Sequence, residues 1–205
     1  VFSHLPLIND EAYTLTISKY FSLSYYDHPP LMMWVSYFLH YLEINSLYLF
    51  RIPFLLFGLF TSFFIYKIAA IIYSKETVTI AAFLYFISPF YFFSGGLFIV
   101  PDALLNFSVA GTTYLAIKII FENKNNTYLW FLLGVLLSIA FLSKYQSYLY
   151  GLSLFAAFIV WRRDAFFNHS FYIALLISIC GLLPVILWNI ENGFCLLYTS
   201  DAADD

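Results

Sequence analysis

Two acidic clusters lie in a polar stretch near the start of the chain, ahead of a long apolar region. The first is the adjacent pair Asp10-Glu11, and the second is Asp27-His28, which two prolines follow. A carboxylate beside a bound substrate can act as a general base that takes a proton from an attacking hydroxyl. The pair Asp10-Glu11 can equally mark a solvated helix start, where the helix dipole favours acids. The residues alone leave both interpretations open.

The prolines after Asp27 and His28 give that second cluster a defined geometry. Proline fixes its own φ angle and restricts the residue before it, so the two side chains are held at a definite angle. An imidazolium next to an acid can contact a phosphate, and the pair can also assist a metal site. A turn that carries a surface histidine explains the same residues.

Two further ionisable groups lie at the ends of apolar segments. Asp102 follows Pro101, an order that also occurs as an ordinary helix opening. Lys144 interrupts an apolar run, where a cation can bind a lipid phosphate or neutralise a leaving phosphate. Both positions are therefore candidates for a polar site at a membrane surface.

The composition predicts a membrane protein. Of the 205 residues, 62% are hydrophobic and only 10% are charged, whereas soluble globular chains are about 45–50% apolar. The sequence contains no HExxH, Walker or GxGxxG motif, which leaves zincin, nucleotide-hydrolase and Rossmann functions without support. Its few basic residues give no nucleic-acid footprint, and its two cysteines suggest neither a disulfide nor a metal site.

Hydropathy predicts an all-α polytopic fold with about six transmembrane helices, since a hydrocarbon core about 30 Å thick needs roughly 20 apolar residues. One long apolar run is divided at Ser143-Lys144, because a single helix of that length would far exceed the bilayer. Ahead of the spans, Glu11–Phe21 and Leu31–Leu42 are predicted to be interfacial helices in the first loop. The predicted spans are Phe50–Tyr73, Val78–Phe98 (kinked near Pro89 and Gly95-Gly96), Ala103–Phe121, Tyr128–Leu142, Tyr145–Trp161 and Ser170–Trp188.

Basic residues are distributed unevenly between the two sides of this topology. One side carries twice as many as the other, which predicts that it is cytoplasmic. The two acidic clusters, Asp102 and Lys144 then all lie on the extracytoplasmic side. The two basic sets are Lys67, Lys75, Lys118, Lys124, Arg162 and Arg163 against Lys19, Arg51 and Lys144.

Six short motifs occur in an order and spacing that resemble a known group of enzymes. The motifs are DEAY, SYYDHPPL, FRIPFLLFG, VPDALLNF, LSKY and WNIENGF. They resemble the polytopic glycosyltransferases related to protein O-mannosyltransferases and to the lipid A aminoarabinose transferase, which have the GT-C fold. The resemblance covers residues 1–194, roughly the N-terminal transmembrane part of that family.

The resemblance implies catalytic roles for three acids. The acid that the family uses as its proposed catalytic base falls on Asp10, with Glu11 as its partner. The acid of the family's second loop falls on Asp102.

The resemblance also implies a set of substrate-binding residues. Lys144 matches the lysine thought to contact the donor's phosphate, and Arg51, Asp27 and His28 complete the expected set. Where the aminoarabinose branch has Glu-Lys-Pro, this chain has Asp-His-Pro, a departure that changes the cation.

The implied reaction is transfer of a sugar, with inversion, from a polyprenyl-phosphate donor to a hydroxyl or phosphate of a lipid or protein acceptor. The expected location is the bacterial cytoplasmic (inner) membrane, with the site facing the extracytoplasmic side. No cofactor is certain, and a divalent metal is left open. A transporter or flippase of lipid-linked sugars, which would use the same charges for binding only, is the first alternative. A structural membrane subunit is the second.

Both ends of the chain depart from the expected pattern. It begins at Val1 without a signal peptide, so we expect a span to be missing before it, together with a C-terminal half after it. The last residues, CLLYTSDAADD, neither continue a span nor cap one, and they resemble the translation of a transposase-type sequencing adapter. We therefore expect residues 1–194 to be part of a GT-C domain and residues 195–205 to be non-native.

Overall fold

A computed structural model describes residues 5–44, 46–122 and 126–193, so the expected non-native tail lies outside the described residues. Within these ranges the chain is helical and has no strand, which confirms the predicted all-α class. A π-helical turn, Phe93–Leu97, lies shortly before Pro101, and a 3-10 turn, Arg163–Phe167, lies shortly before His169. The ten α-helices are α1 Asn9–Ile17, α2 Leu31–Tyr41, α3 Leu47–Ile72, α4 Lys75–Ile87, α5 Pro89–Phe92, α6 Pro101–Phe121, α7 Thr127–Ser143, α8 Ser147–Trp161, α9 His169–Cys180 and α10 Leu183–Glu191.

Three segments of the described chain are long and apolar enough to cross a membrane, namely α3, α6 and the stretch His169–Glu191. The α4–α5 segment makes a fourth if its two parts, bent by 67°, count as one span. Helices α7 and α8 have 17 and 15 residues and are shorter than an ordinary span. The molecule is therefore an integral membrane protein, whereas the count of six spans stays a prediction.

The bent segment returns along the whole length of α3. Arg51, in the first turns of α3, pairs with Glu11, and the Glu11 carboxylate also accepts the backbone N–H of Ile99. Helix α4 begins at the opposite end of α3, which is about 39 Å long at 1.5 Å per residue. The chain from Lys75 to Ile99 thus connects the two ends of α3, as a broken span does and a re-entrant loop does not.

Polar contacts at both ends of α6 align α7 and α8 with it. Lys144, which follows α7, bonds Asp102 in the first turn of α6 at 2.9 Å. Arg162, which follows α8, donates to the carbonyl of Ile119 near the other end of α6 at 2.6 Å. Both short helices therefore extend between the same two ends. We call the end with Asp102 and Lys144 the site end, and the end with Arg162 the basic end.

Proline and glycine residues explain the bend between α4 and α5, which the sequence predicts near Pro89. Ser88 and Pro89 separate α4 from α5, because proline cannot continue the hydrogen-bond pattern of the preceding helix. Gly96 in the following π turn packs directly on Gly58 of α3. A Cβ atom on Gly58 would lie 2.7 Å from the Gly96 Cα atom, so this close approach of two backbones requires glycine.

The two short helices ahead of α3 are present, and α1 ends at Ile17, earlier than predicted. Three side chains on one face of α1, Glu11, Thr14 and Ser18, are fully buried although all are polar. Their spacing of three and four residues places them on one stripe of the helix. The first loop is therefore anchored by the buried Glu11 as well as by the apolar side chains of Leu15 and Ile17, which pack on the core.

Cysteine labelling tests whether α3 crosses the membrane between the site end and the basic end. With Cys180 and Cys195 replaced by serine, single cysteines at Tyr41 and Lys75 should react from opposite sides of sealed membranes. Tyr41 is exposed beside the site end, and Lys75 begins α4 at the basic end. A membrane-impermeant maleimide applied to right-side-out and inside-out vesicles measures the reaction. Labelling of both positions from the same side would contradict the arrangement.

Candidate active site

The structure gathers charged residues from three separate segments around one histidine. His28 interacts electrostatically with Asp27 beside it, Asp10 of α1, Asp102 of α6 and Lys144 after α7. Five of the seven predicted site residues therefore lie together at the site end, although more than a hundred positions of sequence separate some of them. The clustering that the topology implied is present in the fold.

Lys144 is held in place by Asp102 and stays accessible. Their side chains are 2.9 Å apart and retain 24% and 29% exposure, respectively. An ammonium group has three donors, so this bond leaves donors of Lys144 for another anion. A phosphate that approaches the site end can therefore bind a lysine side chain whose orientation is already fixed by Asp102.

His28 is half-buried, and this decides its charge. Burial lowers the pKa of its imidazole below the ordinary value of 6.5, and the positive charge of Lys144 acts in the same direction. The carboxylates of Asp27, Asp102 and Asp10 oppose that shift without reversing it. A histidine whose pKa lies below 6.5 is mostly neutral at pH 7. The imidazolium expected from the sequence is therefore disfavoured, and His28 enters the site as a neutral hydrogen-bonding ring.

Asp10 is exposed in the first turn of α1. Its backbone carbonyl accepts the hydroxyl of Thr14 at 2.8 Å, which continues the helix. Within the described part of the chain, no residue hydrogen-bonds the Asp10 carboxylate. The helix thus presents at the site end a carboxylate that no described residue hydrogen-bonds. Such a group is available to accept a proton as a general base.

Glu11, the neighbour of Asp10, has a different environment. Its side chain is fully buried, and its two oxygens accept Arg51 Nε at 2.8 Å and Arg51 Nη2 at 2.5 Å. The same carboxylate accepts the backbone N–H groups of Ile99 at 3.1 Å and Ile8 at 3.3 Å. With both oxygens occupied, Glu11 links α1, α3 and the loop before α6 instead of facing a substrate.

Arg51, which the resemblance implied as a substrate-binding residue, faces the protein interior. It is 2% exposed, and besides Glu11 it donates to the carbonyls of Leu5 and Pro6 at 3.3 and 3.0 Å. Its guanidinium also lies 5.5 Å from the centre of the Phe98 ring. This geometry gives Arg51 a positioning role beneath the site.

One further residue of the site, which the sequence motifs do not single out, is Tyr13, whose hydroxyl donates to Asp27 Oδ2 at 2.6 Å. One signal was available, because Tyr13 follows Asp10 by three residues and so occupies the same face of α1. The acceptor lies fourteen residues further along in a loop, and helical spacing does not predict that loop's position.

An apolar groove of about 600 Å³ begins next to the site. Its lining comes from α7, α8, α9 and α10 and is almost entirely hydrocarbon. Tyr148, in the first turn of α8 and four residues after Lys144, lines the groove, and Trp130 and Phe158 line it towards the basic end. Pockets that hold small organic ligands have volumes of about 300–1,000 Å³, so this groove is large enough for part of an extended hydrocarbon chain.

No metal cluster stands out within the residues that the structure describes. There, no three His, Cys, Asp or Glu side chains are arranged to hold an ion. The acids around His28 come from α1, α6 and the loop of His28 itself.

Comparison with known proteins gives one match. A family model described as dolichyl-phosphate-mannose-protein mannosyltransferase matches residues 27–188, more than half of the chain. The matched range contains Asp27, His28, Asp102 and Lys144 and begins after Asp10. No curated protein and no solved structure matches the chain.

The buried Glu11–Arg51 pair should dominate the stability of the site end. Arg51→Met leaves a buried carboxylate without its cation, which costs about 3–5 kcal/mol. The double variant Glu11→Leu/Arg51→Met removes both charges and should recover much of that loss. Thermal unfolding in detergent measures both effects.

Asp164→Asn provides the matched control for this prediction. It breaks the Arg162–Asp164 pair, whose acid is 66% exposed, and exposed pairs contribute about 0–1 kcal/mol. Equal losses in Arg51→Met and Asp164→Asn would contradict the assigned role of the buried pair.

Proposed function

The chain belongs to the dolichyl-phosphate-mannose-protein mannosyltransferase family, and on that basis we propose that it transfers a sugar from a polyprenyl-phosphate donor to an acceptor at the membrane surface. The family implies a membrane glycosyltransferase with a lipid-linked sugar donor. The acceptor in the proposal is a hydroxyl or phosphate group of a lipid or protein, and the anomeric carbon is inverted.

The observation that carries this proposal is the position of two groups near His28. One is a carboxylate that no described residue hydrogen-bonds, and the other is a lysine ammonium that an ion pair holds in one orientation. Asp10 comes from α1, and Lys144 follows α7 with its ammonium held by Asp102. A displacement at a sugar carbon needs a base on the acceptor and a positive charge on the departing phosphate. The site end has one group of each kind.

In the proposed reaction Asp10 removes the proton from an acceptor hydroxyl as its oxygen attacks the anomeric carbon. The bond between that carbon and the phosphate oxygen breaks, and its electron pair leaves on the phosphate. Lys144 stabilises the negative charge that develops there. A single displacement from the opposite face inverts the carbon. A phosphate acceptor attacks as an anion and needs no proton removal.

The apolar groove supports a lipid-linked donor. Lys144, where the phosphate binds in this proposal, is four residues before Tyr148, which lines the groove. The polyprenyl chain can then extend between α8 and the α9–α10 segment towards the middle of the protein. Such a donor reaches the site from the bilayer, so the enzyme needs no nucleotide-binding motif.

Charge distribution supports an extracytoplasmic site in a bacterial cytoplasmic membrane. Lys75 and Lys118 lie at the basic end together with Arg162 and Arg163. Cytoplasmic flanks of spans are enriched in Lys and Arg, so the basic end is assigned to the cytoplasm. The site end then faces the opposite compartment.

Asp10→Asn tests the proposed base. In the intact membrane protein, transfer of labelled sugar from a polyprenyl-phosphate donor should fall by about 10²–10⁴-fold, because the amide cannot accept the proton. Thermal stability should be unchanged, since no described residue bonds the Asp10 carboxylate. Normal turnover would contradict the assignment. Transport of donor by the wild-type protein without any covalent product would favour the flippase alternative instead.

A groove substitution tests the lipid part of the donor. Leu152→Trp fills the groove and should raise the KM for a long-chain donor several-fold while sparing a donor with a single short isoprenoid unit. Leu149→Trp is the matched control, because Leu149 is equally exposed on α8 but does not line the groove. Equal effects of the two variants, or equal effects on both donors, would count against the proposed chain site.

A further inference from the structure

The loop that carries Asp27 and His28 has no secondary structure of its own. Residues 21–30 form neither helix nor strand, and side chains anchor them to their surroundings. Tyr25 donates its hydroxyl to the carbonyl of Tyr20 at 2.8 Å, and Trp34 Nε1 donates to the carbonyl of Ser22 at 2.8 Å. Both bonds fix the first part of the loop, the buried Pro29 and Pro30 close its other end, and a further contact reaches Asp27 directly.

That contact is the bond from the Tyr13 hydroxyl to Asp27 Oδ2. Its length of 2.6 Å is in the range of a hydrogen bond to an ionised acceptor. Burial, the bond itself and the charge of Asp27 together raise the pKa of Tyr13 to about 12. The phenol therefore remains protonated, and able to donate, throughout the physiological pH range.

Tyr13 stands on a helix that cannot easily shift. On the buried stripe of α1, Glu11 is paired with Arg51, and the Thr14 hydroxyl contacts the sulfur of Met32 in α2 at 3.7 Å. Asp10 and Tyr13 lie one turn apart on the neighbouring exposed face. The bond to Asp27 thus connects a fixed helix, which also carries the proposed base, to an exposed side chain of a loop that has no secondary structure of its own.

We propose that Tyr13 is a positioning residue for sugar transfer, and that through Asp27 it holds His28 beside Lys144 at the donor's phosphate. This inference rests on the proposed function. Tyr13 does not touch the reacting atoms. Its role is to keep the Asp27-His28 turn in one position relative to Asp10 and Lys144.

The substitution Tyr13→Phe isolates this role because it removes the hydroxyl and keeps the ring. The Asp27-His28 turn then loses its hydrogen bond to α1 and can shift relative to the phosphate. Asp10 keeps its place on α1. We expect the donor KM to rise about tenfold, with kcat within about twofold of wild type and unchanged thermal stability. Tyr20→Phe is the control, because the Tyr20 ring is 77% exposed and should give wild-type kinetics.

A double variant tests whether Tyr13 acts through Asp27. Asp27→Ala removes the acceptor, so adding Tyr13→Phe to Asp27→Ala should change the donor KM no further. Additive effects in the double variant would overturn the proposal. A fall in kcat at constant KM would also overturn it, since that pattern reports fewer folded molecules instead of a displaced phosphate site.

Amide hydrogen exchange separates this inference from the proposed function. In the intact protein, peptides that cover residues 25–28 should exchange faster in Tyr13→Phe than in wild type or Tyr20→Phe. Unchanged exchange would overturn the proposal. If the wild-type protein transferred no sugar from any polyprenyl-phosphate donor, the proposed function would fail, and faster exchange would still show that Tyr13 positions this loop.

Discussion

The buried ion pair between Glu11 and Arg51 is the constraint on which the site end depends. Two charges withdrawn from water are tolerated only when their remaining hydrogen-bonding capacity is also satisfied. Here Glu11 accepts the N–H groups of Ile8 and Ile99, and Arg51 donates to the carbonyls of Leu5 and Pro6. One pair therefore joins the first loop, α3 and the chain that enters α6, and the position of Asp10 relative to Asp102 follows from it.

The bilayer explains why the chemistry is confined to one end of the protein. Charges near the middle of a membrane are costly, so charged groups remain near helix ends while aliphatic and aromatic side chains fill the interior. Gly58 and Gly96 bring α3 and the π turn into direct contact, and the bent α4–α5 segment ends beside Glu11. The apolar helices thus hold the polar loops at a defined depth relative to the bilayer.

The proposed division of labour at the site follows from exposure. Asp10 and Glu11 are chemically similar neighbours, yet one is exposed and unengaged and the other is buried with both oxygens occupied. Only the exposed carboxylate can meet an acceptor. Lys144 and Asp102 are likewise partly exposed, whereas Arg51 is enclosed. Residues that contact substrate and residues that hold them in place are distinguished by accessibility.

The sequence by itself determined the helical class, most helix boundaries and the shared end of Asp10, Asp102 and Lys144. Apolar length and sparse charge are local properties, so hydropathy revealed them. Hydropathy could not determine that Arg51 turns inward to Glu11, that Tyr13 binds Asp27, or that burial lowers the pKa of His28. Those features depend on which distant segments pack together, and only the tertiary structure decided them, because burial and hydrogen-bond partners come from neighbours in space.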